Sequence, residues 1–259
     1  MPTGTLNTAI LVRRCAPEYN RSAAATAKVG NRVTALRNFL KQAPLFSGLS
    51  DAEIDASAKD FVPNRFRQGE TIFHQGDAGQ LLYLIEAGQV RIFVLGEEGQ
   101  ETSVVLYGAG DIFGELAVID GLPRSAGAVA MEETIVLTLN RDRFREQLRR
   151  TPQLALNFMK ALSVRVRYST QQLGSLAVLD VPGRLARKLL ELAQTYGVAE
   201  PEGVRIAMAL TQTDLASLIG ATRESINKAL AAFRRQGYIL LRRHQVTIVD
   251  PDALREIGS

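Results

Sequence analysis

The chain has 259 residues, of which 46% are hydrophobic and 22% are charged, a composition typical of a globular protein long enough for two domains. Its single cysteine excludes an internal disulfide framework and an iron–sulfur cluster that needs several thiolates from one chain. No apolar run approaches the roughly 18 residues of a membrane span.

The formal net charge of +4 is unevenly distributed along the chain. Residues 36–150 carry 17 acidic against 12 basic side chains, whereas residues 181–259 carry 11 basic against 8 acidic ones. This distribution is typical of a sensor attached to a nucleic-acid-binding domain.

Near the start of the chain, Arg13 and Arg14 follow a short apolar patch. A signal peptide has the opposite order, so we expect a cytoplasmic protein.

Residues 1–35 carry five basic side chains against one acid and show no sustained hydrophobic period. This composition predicts a flexible basic tail, with a frayed helix near residues 23–28. Its charge could contact DNA, but we expect a solvated leader.

From residue 36 to residue 150, short runs of β-forming residues alternate with glycine-containing turns. Ser50 is the predicted N-cap of a short acidic helix that precedes them. Short strands at this regular spacing predict a sandwich or barrel. The predicted strands are 71–73, 81–85, 90–95, 102–106, 126–130 and 134–139.

The segment 113–126 interrupts the strands with a distinctive motif. Gly114 begins a short helical turn whose backbone N–H groups can bind an anion. Glu115 offers an acceptor for a sugar hydroxyl, and Arg124, nine residues later, offers a fork of donors for a phosphate. These residues predict a pocket for a small phosphorylated sugar. The alternative is a turn-rich connection whose arginine pairs with a surface acid.

This motif resembles the phosphate-binding cassette of cyclic-nucleotide-binding domains, and the turns at Gly69 and Gly76 resemble turns of the same β-roll. The resemblance implies a jelly-roll-like domain at 36–150 with a cyclic nucleotide as its ligand. The residues that it assigns to the nucleotide here are Gly114, Glu115, Leu116, Ala117, Arg124 and Ser125.

Residues 151–179 are predicted to form one helix, because Thr151-Pro152 is a typical helix start. An apolar stripe with coiled-coil steps of three and four runs along it. The β-roll is one possible partner for this stripe, but a helix of about 40 Å is longer than one small domain needs. We therefore predict a parallel homodimer. The stripe consists of Met159, Leu162, Val166, Ser169, Leu173 and Leu176.

Ser169 is the polar member of this stripe, and Thr170 follows it. A hydroxyl in a helix can bond the carbonyl four residues earlier, or both hydroxyls can face a ligand. The stretch 174–181 resembles the catabolite-activator family, in which two adjacent hydroxyl residues at this point of the dimer helix contact adenine, one from each subunit. The resemblance implies that Ser169 and Thr170 contact the nucleotide base.

Asp180 is a predicted N-cap for the next helix, which should run to Tyr196 and end at Gly197. Because Asp180 lies between the long helix and the C-terminal domain, we predict a hinge there.

Residues 211–237 predict a helix-turn-helix motif. Thr211 and Asp214 form a capping box for the first helix, Gly220 lies in a tight turn, and Thr222 can cap a second helix at 223–236. Two short β-forming runs, at 238–241 and 246–249, then predict a hairpin wing.

Arg223, Glu224 and Lys228, with Asn227, are predicted to lie on one exposed face of the second helix. In the major groove, Arg and Lys can donate to guanine and Glu can accept from cytosine N4. The alternative is a solvated face with a Glu224–Lys228 ion pair. The Arg-Glu-x-x-x-Lys spacing resembles the base-contacting face of catabolite-activator regulators, which implies palindromic TGTGA-type operators, although lysine replaces the more familiar arginine at 228. The predicted phosphate contacts are Thr213, Thr222, Ser225, Arg242 and Arg243.

From about residue 45 to residue 249 the chain thus resembles a cyclic-nucleotide-responsive transcription regulator of the CRP/FNR (catabolite activator) family. The resemblance implies an α+β fold, cyclic AMP as allosteric ligand, a homodimer, double-stranded DNA as partner, and contact with RNA polymerase. Cyclic GMP, a cyclic dinucleotide, or activity without a ligand remain the alternatives. The predicted parts are the tail at 1–35, the β-roll at 36–150, the dimer helix at 151–179 and a winged helix-turn-helix at 180–259.

Other functions are less favoured by the sequence. A haem sensor needs an axial ligand, and His74 is expected to be an exposed or core-edge imidazole. His74 and His244 lie in different predicted domains, and no catalytic triad or metal-ligand spacing is present, so we expect neither an enzyme nor a metal site.

Overall fold

The computed structural model describes residues 29–259 except 98, 209, 243 and 244, so the predicted frayed helix at 23–28 and most of the predicted tail lie outside the described residues. The described residues form two compact units, which meet in sequence between Arg165 and Val166. Among the described helices, none is both long and apolar enough to cross a membrane.

The first unit contains the helices of the N-terminal half and eight strands. The helices are α1 (Val29–Gln42), α2 (Asp51–Ala58), α3 (Glu115–Asp120) and α4 (Arg141–Arg150), with a 3-10 turn at Pro44–Phe46. The strands are β1 (Val62–Phe66), β2 (Thr71–Phe73), β3 (Leu81–Ala87), β4 (Val90–Leu95), β5 (Glu101–Tyr107), β6 (Ile112–Phe113), β7 (Gly127–Ala130) and β8 (Thr134–Asn140). Helix α5 (Pro152–Val178) starts in this unit and continues into the second.

The strands form two antiparallel sheets, in the orders β1-β8-β3-β6 and β2-β7-β4-β5. All six strands predicted from the sequence are present, to within a few residues at their ends. The sequence prediction missed β1 and β6. β1 contains Pro63, which lacks an N–H donor and is tolerated because β1 is an edge strand. β6 is only two residues long.

Strand β3 is buried on both faces, which explains its continuous apolar sequence. Tyr83 and Ile85 pack between the two sheets, against residues of β4, β7 and β8. Leu82 and Leu84 point the other way, into a second core that α1, α2, α4 and the start of α5 cover. The cassette segment therefore extends from a rigid, doubly packed sheet.

Helix α1 crosses the predicted boundary between residues 35 and 36. Leu40 is fully buried in the helical core. Arg37 lies 2.9 Å from a carboxylate oxygen of Asp51 and 2.9 Å from one of Asp55 on α2. The β-roll unit thus begins before residue 36, because this helix covers part of its core.

Helix α5 carries two different apolar surfaces. Leu154, Phe158 and Leu162, spaced by four residues, pack against the β-roll core, so Leu162 faces the roll rather than an outward stripe. The remaining apolar residues of the stripe are at least half exposed: Met159 (54%), Val166 (66%), Leu173 (68%) and Leu176 (50%). Helix α5 thus has one apolar face that is packed and another that is exposed.

The second unit is a winged helix-turn-helix built on α6 (Val181–Tyr196), α7 (Gln212–Ile219), α8 (Arg223–Arg235) and α9 (Pro251–Ile257). Its sheet has the order β11-β12-β10-β9, formed by β9 (Gly197–Glu200), β10 (Gly203–Ile206), β11 (Ile239–Arg242) and β12 (Gln245–Ile248). The sequence prediction gave the wing β11–β12 but missed β9, β10 and α9.

The predicted caps of this unit are confirmed. The Asp180 carboxylate accepts the Gly183 N–H at 2.8 Å, which starts α6. Thr211 and Asp214 form the capping box of α7, and Thr222 caps α8. Gly220 has φ +62°, a left-handed conformation that glycine adopts without strain and that allows the tight turn between α7 and α8. The α+β fold predicted from the sequence is therefore confirmed.

Candidate functional site

The cassette glycine starts helix α3 in the way that its sequence predicted. Gly114 has φ +72° and is the N-cap of α3, and no side chain caps the first turn. A β-carbon at this position would lie 2.6 Å from Nη1 of Arg124 and 3.0 Å from the Tyr83 ring. Glycine is therefore required twice, for the left-handed backbone and for the approach of the arginine.

The Arg124 side chain is buried, with a relative exposure of 5%. Its Nη1 donates to the Gly114 carbonyl at 2.6 Å and its Nη2 to the Leu81 carbonyl at 2.9 Å. Its Nε is buried without an acceptor among the described residues, and no described carboxylate pairs with the guanidinium. Burial lowers the pKa of Arg124, which Tyr83, Glu115 and Asp77 oppose, and an arginine stays protonated in any case. The segment thus holds a buried cation with no described carboxylate in ion-pair contact.

The β2–β3 connection positions this arginine. The Arg124 backbone N–H donates to the Asp77 carbonyl, and the Gly76 N–H donates to the Arg124 carbonyl, each at 2.8 Å. The guanidinium carbon lies 4.2 Å from the ring centroid of Phe73 and 5.4 Å from that of Tyr83. Backbone bonds and two aromatic rings therefore hold the cation in a fixed place.

Gly79 lies next to Arg124, and its lack of a side chain makes room for this arginine. The sequence prediction missed this role. A β-carbon there would lie 2.4 Å from the Ala117 β-carbon and 2.9 Å from the Arg124 guanidinium carbon. Ala117 is itself buried. Any larger residue at 79 would displace the cassette arginine, yet a single glycine in a Gly-rich turn gives no signal for this role.

Glu115 is also buried, and its partner is Arg165, which the sequence prediction did not name. The Arg165 Nη1 lies 2.6 Å from a Glu115 carboxylate oxygen, and the Arg165 side chain also donates to the Ile112 carbonyl and stacks 4.6 Å from the Tyr107 ring centroid. Although burial disfavours the charged form, Tyr107 and Glu115 raise the pKa of Arg165. Fifty residues separate this pair in sequence, so no local pattern predicts it.

The two remaining cassette residues are at the surface. Leu116 is 45% exposed and Ser125 is exposed, so the cassette presents an apolar and a hydroxyl side chain to solvent beside its buried charges.

His74 is exposed, as expected, and its backbone N–H donates to the Asp77 carboxylate at 2.8 Å. In the part of the chain that the structure describes, no group of three or more His, Cys, Asp or Glu side chains is arranged to hold a metal ion.

On α5, the two predicted base-contacting hydroxyls differ in their hydrogen bonds. Both Ser169 and Thr170 are exposed. The Thr170 hydroxyl donates to the Val166 carbonyl at 3.0 Å, the back-bonding geometry expected of a hydroxyl in a helix. Ser169 makes no side-chain hydrogen bond with the described residues. The Thr170 oxygen is therefore left with acceptor capacity only, and Ser169 with both donor and acceptor capacity.

Helix α8 presents the predicted base-contacting residues at its N-terminal end. Arg223 is exposed and has no acidic partner among the described residues. Glu224 and Lys228 form an ion pair at 2.7 Å, but both side chains are 77% exposed, so DNA can compete for them. Asn227 is half-buried, and its Oδ1 has no partner in the described part of the chain.

Among the predicted phosphate contacts, Thr213 and Thr222 are exposed and Ser225 is half-buried. The Thr222 oxygen accepts the Ser225 N–H at 3.2 Å, so this hydroxyl already has a capping role. Arg242 pairs with Glu202 at 2.9 Å in the wing. Arg243 and His244 lie outside the described residues.

Comparisons with known proteins identify a known domain in each of the two units. Residues 63–151 match the cyclic nucleotide-binding domain model, and residues 183–257 match the Crp-like helix-turn-helix domain model. The chain is 36% identical over 215 residues to the CRP-like cAMP-activated global transcriptional regulator of Mycobacterium tuberculosis, covering 83% of this chain and 96% of that protein. It is 35% identical over 219 residues to the cyclic AMP receptor protein of Thermus thermophilus, covering 85% and 98%.

A solved CRP-family transcriptional regulator of Thermus thermophilus shares the fold with a TM-score of 0.64 and 30% sequence identity. The match covers 76% of this chain and 97% of that chain. The same order of cyclic-nucleotide-binding and helix-turn-helix domains thus appears in the sequence, in the structure and in these relatives. The chain is a DNA-binding transcription regulator with a cyclic-nucleotide-binding domain, and it belongs to the CRP/FNR family.

Proposed function

We propose that this protein is a homodimeric regulator that binds cyclic AMP in its β-roll and, in response, binds palindromic TGTGA-type operators. The observation that carries the proposal is the buried, unpaired guanidinium of Arg124. A buried charge without a counter-ion in direct contact is costly, and an anion supplied by a ligand lowers that cost. The phosphate of a cyclic nucleotide is the anion that the neighbouring residues suit best.

The other cassette residues fit the remainder of such a ligand. The open first turn of α3 offers backbone N–H donors beside Arg124. Glu115 offers a carboxylate oxygen for a ribose hydroxyl, while Arg165 holds this carboxylate in place at 2.6 Å. The Arg124 Nε, which lacks an acceptor, offers a further donor. A single cyclic phosphate with one ribose satisfies these groups.

The hydrogen bond of the Thr170 hydroxyl supports binding of adenine rather than guanine. Because its hydroxyl proton is donated to the Val166 carbonyl, its oxygen can only accept. Adenine carries an amino donor at position 6, where guanine carries a carbonyl acceptor. An acceptor-only hydroxyl therefore favours cyclic AMP over cyclic GMP. Isothermal titration of the full chain with cyclic AMP, cyclic GMP and cyclic di-GMP tests this ligand assignment, and tightest binding of either guanine ligand would contradict it.

We expect Thr170→Val to weaken cyclic AMP binding by about five- to tenfold, because one neutral hydrogen bond is lost, and to leave cyclic GMP binding unchanged. Isothermal titration measures both affinities. Thr195→Val is the matched control, since the Thr195 hydroxyl makes the same type of back-bond, to the Glu191 carbonyl at 3.1 Å. Equal losses for both nucleotides would contradict the role of Thr170 in base selection.

The exposed stripe on α5 supports the homodimer. Val166, Leu173 and Leu176 are each at least half exposed, and they continue the coiled-coil spacing along α5. A second copy of the same helix in parallel orientation covers such a stripe. Dimerisation also matches the two-fold symmetry of a palindromic operator, whose half-site centres lie about 34 Å apart.

We expect Leu173→Asp to weaken self-association at least about 100-fold, because each chain loses one buried leucine and places a charge in the contact. The monomer should remain folded, since Leu173 is 68% exposed in the single chain. Sedimentation equilibrium measures the effect. Val104→Asp places the same charge at another exposed apolar site, on β5, and should leave the dimer intact. An unchanged dimer in Leu173→Asp would contradict the α5 interface.

The proposed response to the ligand is a population shift. Binding of cyclic AMP at the cassette and at Ser169 and Thr170 stabilises a DNA-competent arrangement of the two α8 helices, with movement about Asp180. Cyclic AMP can favour this state only through contacts that differ between the two states. The proposal also includes a cytoplasmic location and contact with RNA polymerase, as in a transcription regulator that responds to an internal messenger.

A further inference from the structure

A buried lysine lies between α5 and α6, in the unit that starts at Val166. We call Tyr168, Lys188 and Glu191 the buried lysine cluster. The Lys188 Nζ donates to the Tyr168 hydroxyl at 2.6 Å and lies 3.1 Å from each carboxylate oxygen of Glu191. The Tyr168 hydroxyl in turn donates to Glu191 at 3.1 Å. The three polar groups thus form a closed triangle, entirely within the unit that starts at Val166.

The cost of this arrangement indicates that it has a specific role. The Lys188 residue is only 6% exposed, and lysine is among the residues least often buried. A buried ammonium destabilises the fold unless it is paired and hydrogen-bonded. Burial, followed by the Glu191 carboxylate, raises the pKa of Tyr168, so its hydroxyl stays protonated and keeps its donor role. The buried ammonium therefore depends on both neighbours, of which the Glu191 side chain is 38% exposed.

The position of the cluster connects two functional regions. Tyr168 immediately precedes Ser169 and Thr170, the proposed base-contacting residues on α5. Lys188 and Glu191 lie on α6, whose Leu185 and Leu189 belong to the buried core of the DNA-binding unit. Tyr168 lies 12 residues before the capping residue Asp180, or about 18 Å along a helix, so the cluster restrains α6 far from the predicted hinge.

Two other contacts lie nearer the hinge, one with α5 and one with the linker that follows it. The Arg187 Nη1 donates to the Ser175 hydroxyl at 2.6 Å, and the Arg184 Nη1 donates to the Leu179 carbonyl at 2.9 Å. These contacts hold the start of α6. The buried lysine cluster extends this connection to Tyr168, in the α5 turn that carries Ser169 and Thr170.

We propose that the buried lysine cluster couples the nucleotide to DNA, by making α6 follow any change at Ser169 and Thr170. This inference rests on the proposed function. When the ligand orders the α5 turn that contains these hydroxyls, Tyr168 moves with it, and Lys188 with Glu191 transmits the movement to α6. Without the cluster, the nucleotide still binds, but it tightens DNA binding less.

The test compares coupling factors, each defined as the ratio of the operator Kd without cyclic AMP to the Kd with saturating cyclic AMP. We expect Tyr168→Phe, which removes one hydroxyl and keeps the Lys188–Glu191 pair, to reduce this factor at least about threefold. Lys188→Met should reduce it further. Both variants should bind cyclic AMP in the absence of DNA as the unmodified protein does, and Thr195→Val on α6 should keep the full factor.

The coupling factor separates this role from simple stability. Saturating cyclic AMP suppresses reversible unfolding, so destabilisation alone would increase the factor, which is opposite to the expected decrease. By reciprocity, operator DNA must tighten cyclic AMP binding by the same factor, which gives a second measurement. An unchanged factor in Tyr168→Phe, with the unmodified protein responding normally, overturns the cluster proposal alone. A factor of one in the unmodified protein overturns the proposed function and the cluster proposal together.

Discussion

Replacement of Arg124 by leucine is expected to weaken cyclic AMP binding at least about 30-fold and to abolish the response of DNA binding to the nucleotide. Truncation of one partner of a buried, hydrogen-bonded charge pair costs roughly 2–5 kcal/mol, and each 1.4 kcal/mol is about tenfold in affinity. Arg124 is 5% exposed and meets no described carboxylate, so the ligand phosphate is the partner that it would lose. Isothermal titration and operator binding with and without cyclic AMP measure the two effects.

The structure also supplies a matched control for this substitution. Arg91 stacks over Phe93 at 4.9 Å, much as Arg124 stacks over Phe73, but it pairs with Glu101 on the neighbouring strand. Arg91→Leu therefore removes a ring-stacked arginine from the same β-roll without touching the cassette, and it should keep normal cyclic AMP affinity. If Arg124→Leu still responds at the same nucleotide concentration, the cassette does not bind the phosphate.

The second large effect is expected at the N-terminal end of α8. Arg223→Ala should weaken binding to a TGTGA-type operator by roughly 10- to 100-fold, since a good bidentate contact to guanine contributes about 1–3 kcal/mol. It should also relax selectivity at one base pair, whereas affinity for random DNA should change much less. Arg223 is exposed and has no described acidic partner, so the substitution leaves the fold unchanged.

Arg234→Ala is the control for this experiment, because Arg234 is exposed in the last turn of the same helix. It removes the same charge from α8 at the end that does not enter the major groove. Fluorescence anisotropy with operator and scrambled duplexes, at one fixed salt concentration, separates base contacts from general electrostatics. Equal losses for both variants on both duplexes would assign Arg223 to the phosphates instead.

The sequence predicted those parts of the molecule that are encoded locally. Gly114 and Arg124 lie within one segment of 14 residues, and the caps at Asp180, Thr211 and Thr222 are formed by residues three positions apart. Residue type and spacing over a few positions are sufficient for such features. They gave the cassette, the helix-turn-helix motif and most of the strands.

The features that the sequence prediction missed depend on contacts between residues distant in sequence, or on where a residue lies in the folded unit. Arg165 reaches Glu115 from another helix, and Gly79 is required only because Ala117 and Arg124 pack against it. Leu162 has the spacing of the outward stripe, yet it packs on the β-roll because a helix presents several faces to its surroundings. Pro63 concealed β1, since a proline is compatible only with an edge strand.

The most direct test of the central claim is the affinity of the full chain for a palindromic TGTGA-type duplex, measured by fluorescence anisotropy with and without cyclic AMP at constant salt. The proposed function predicts that saturating cyclic AMP tightens binding tenfold or more. Binding of equal strength with and without cyclic AMP would contradict the coupling of the cassette to the helix-turn-helix.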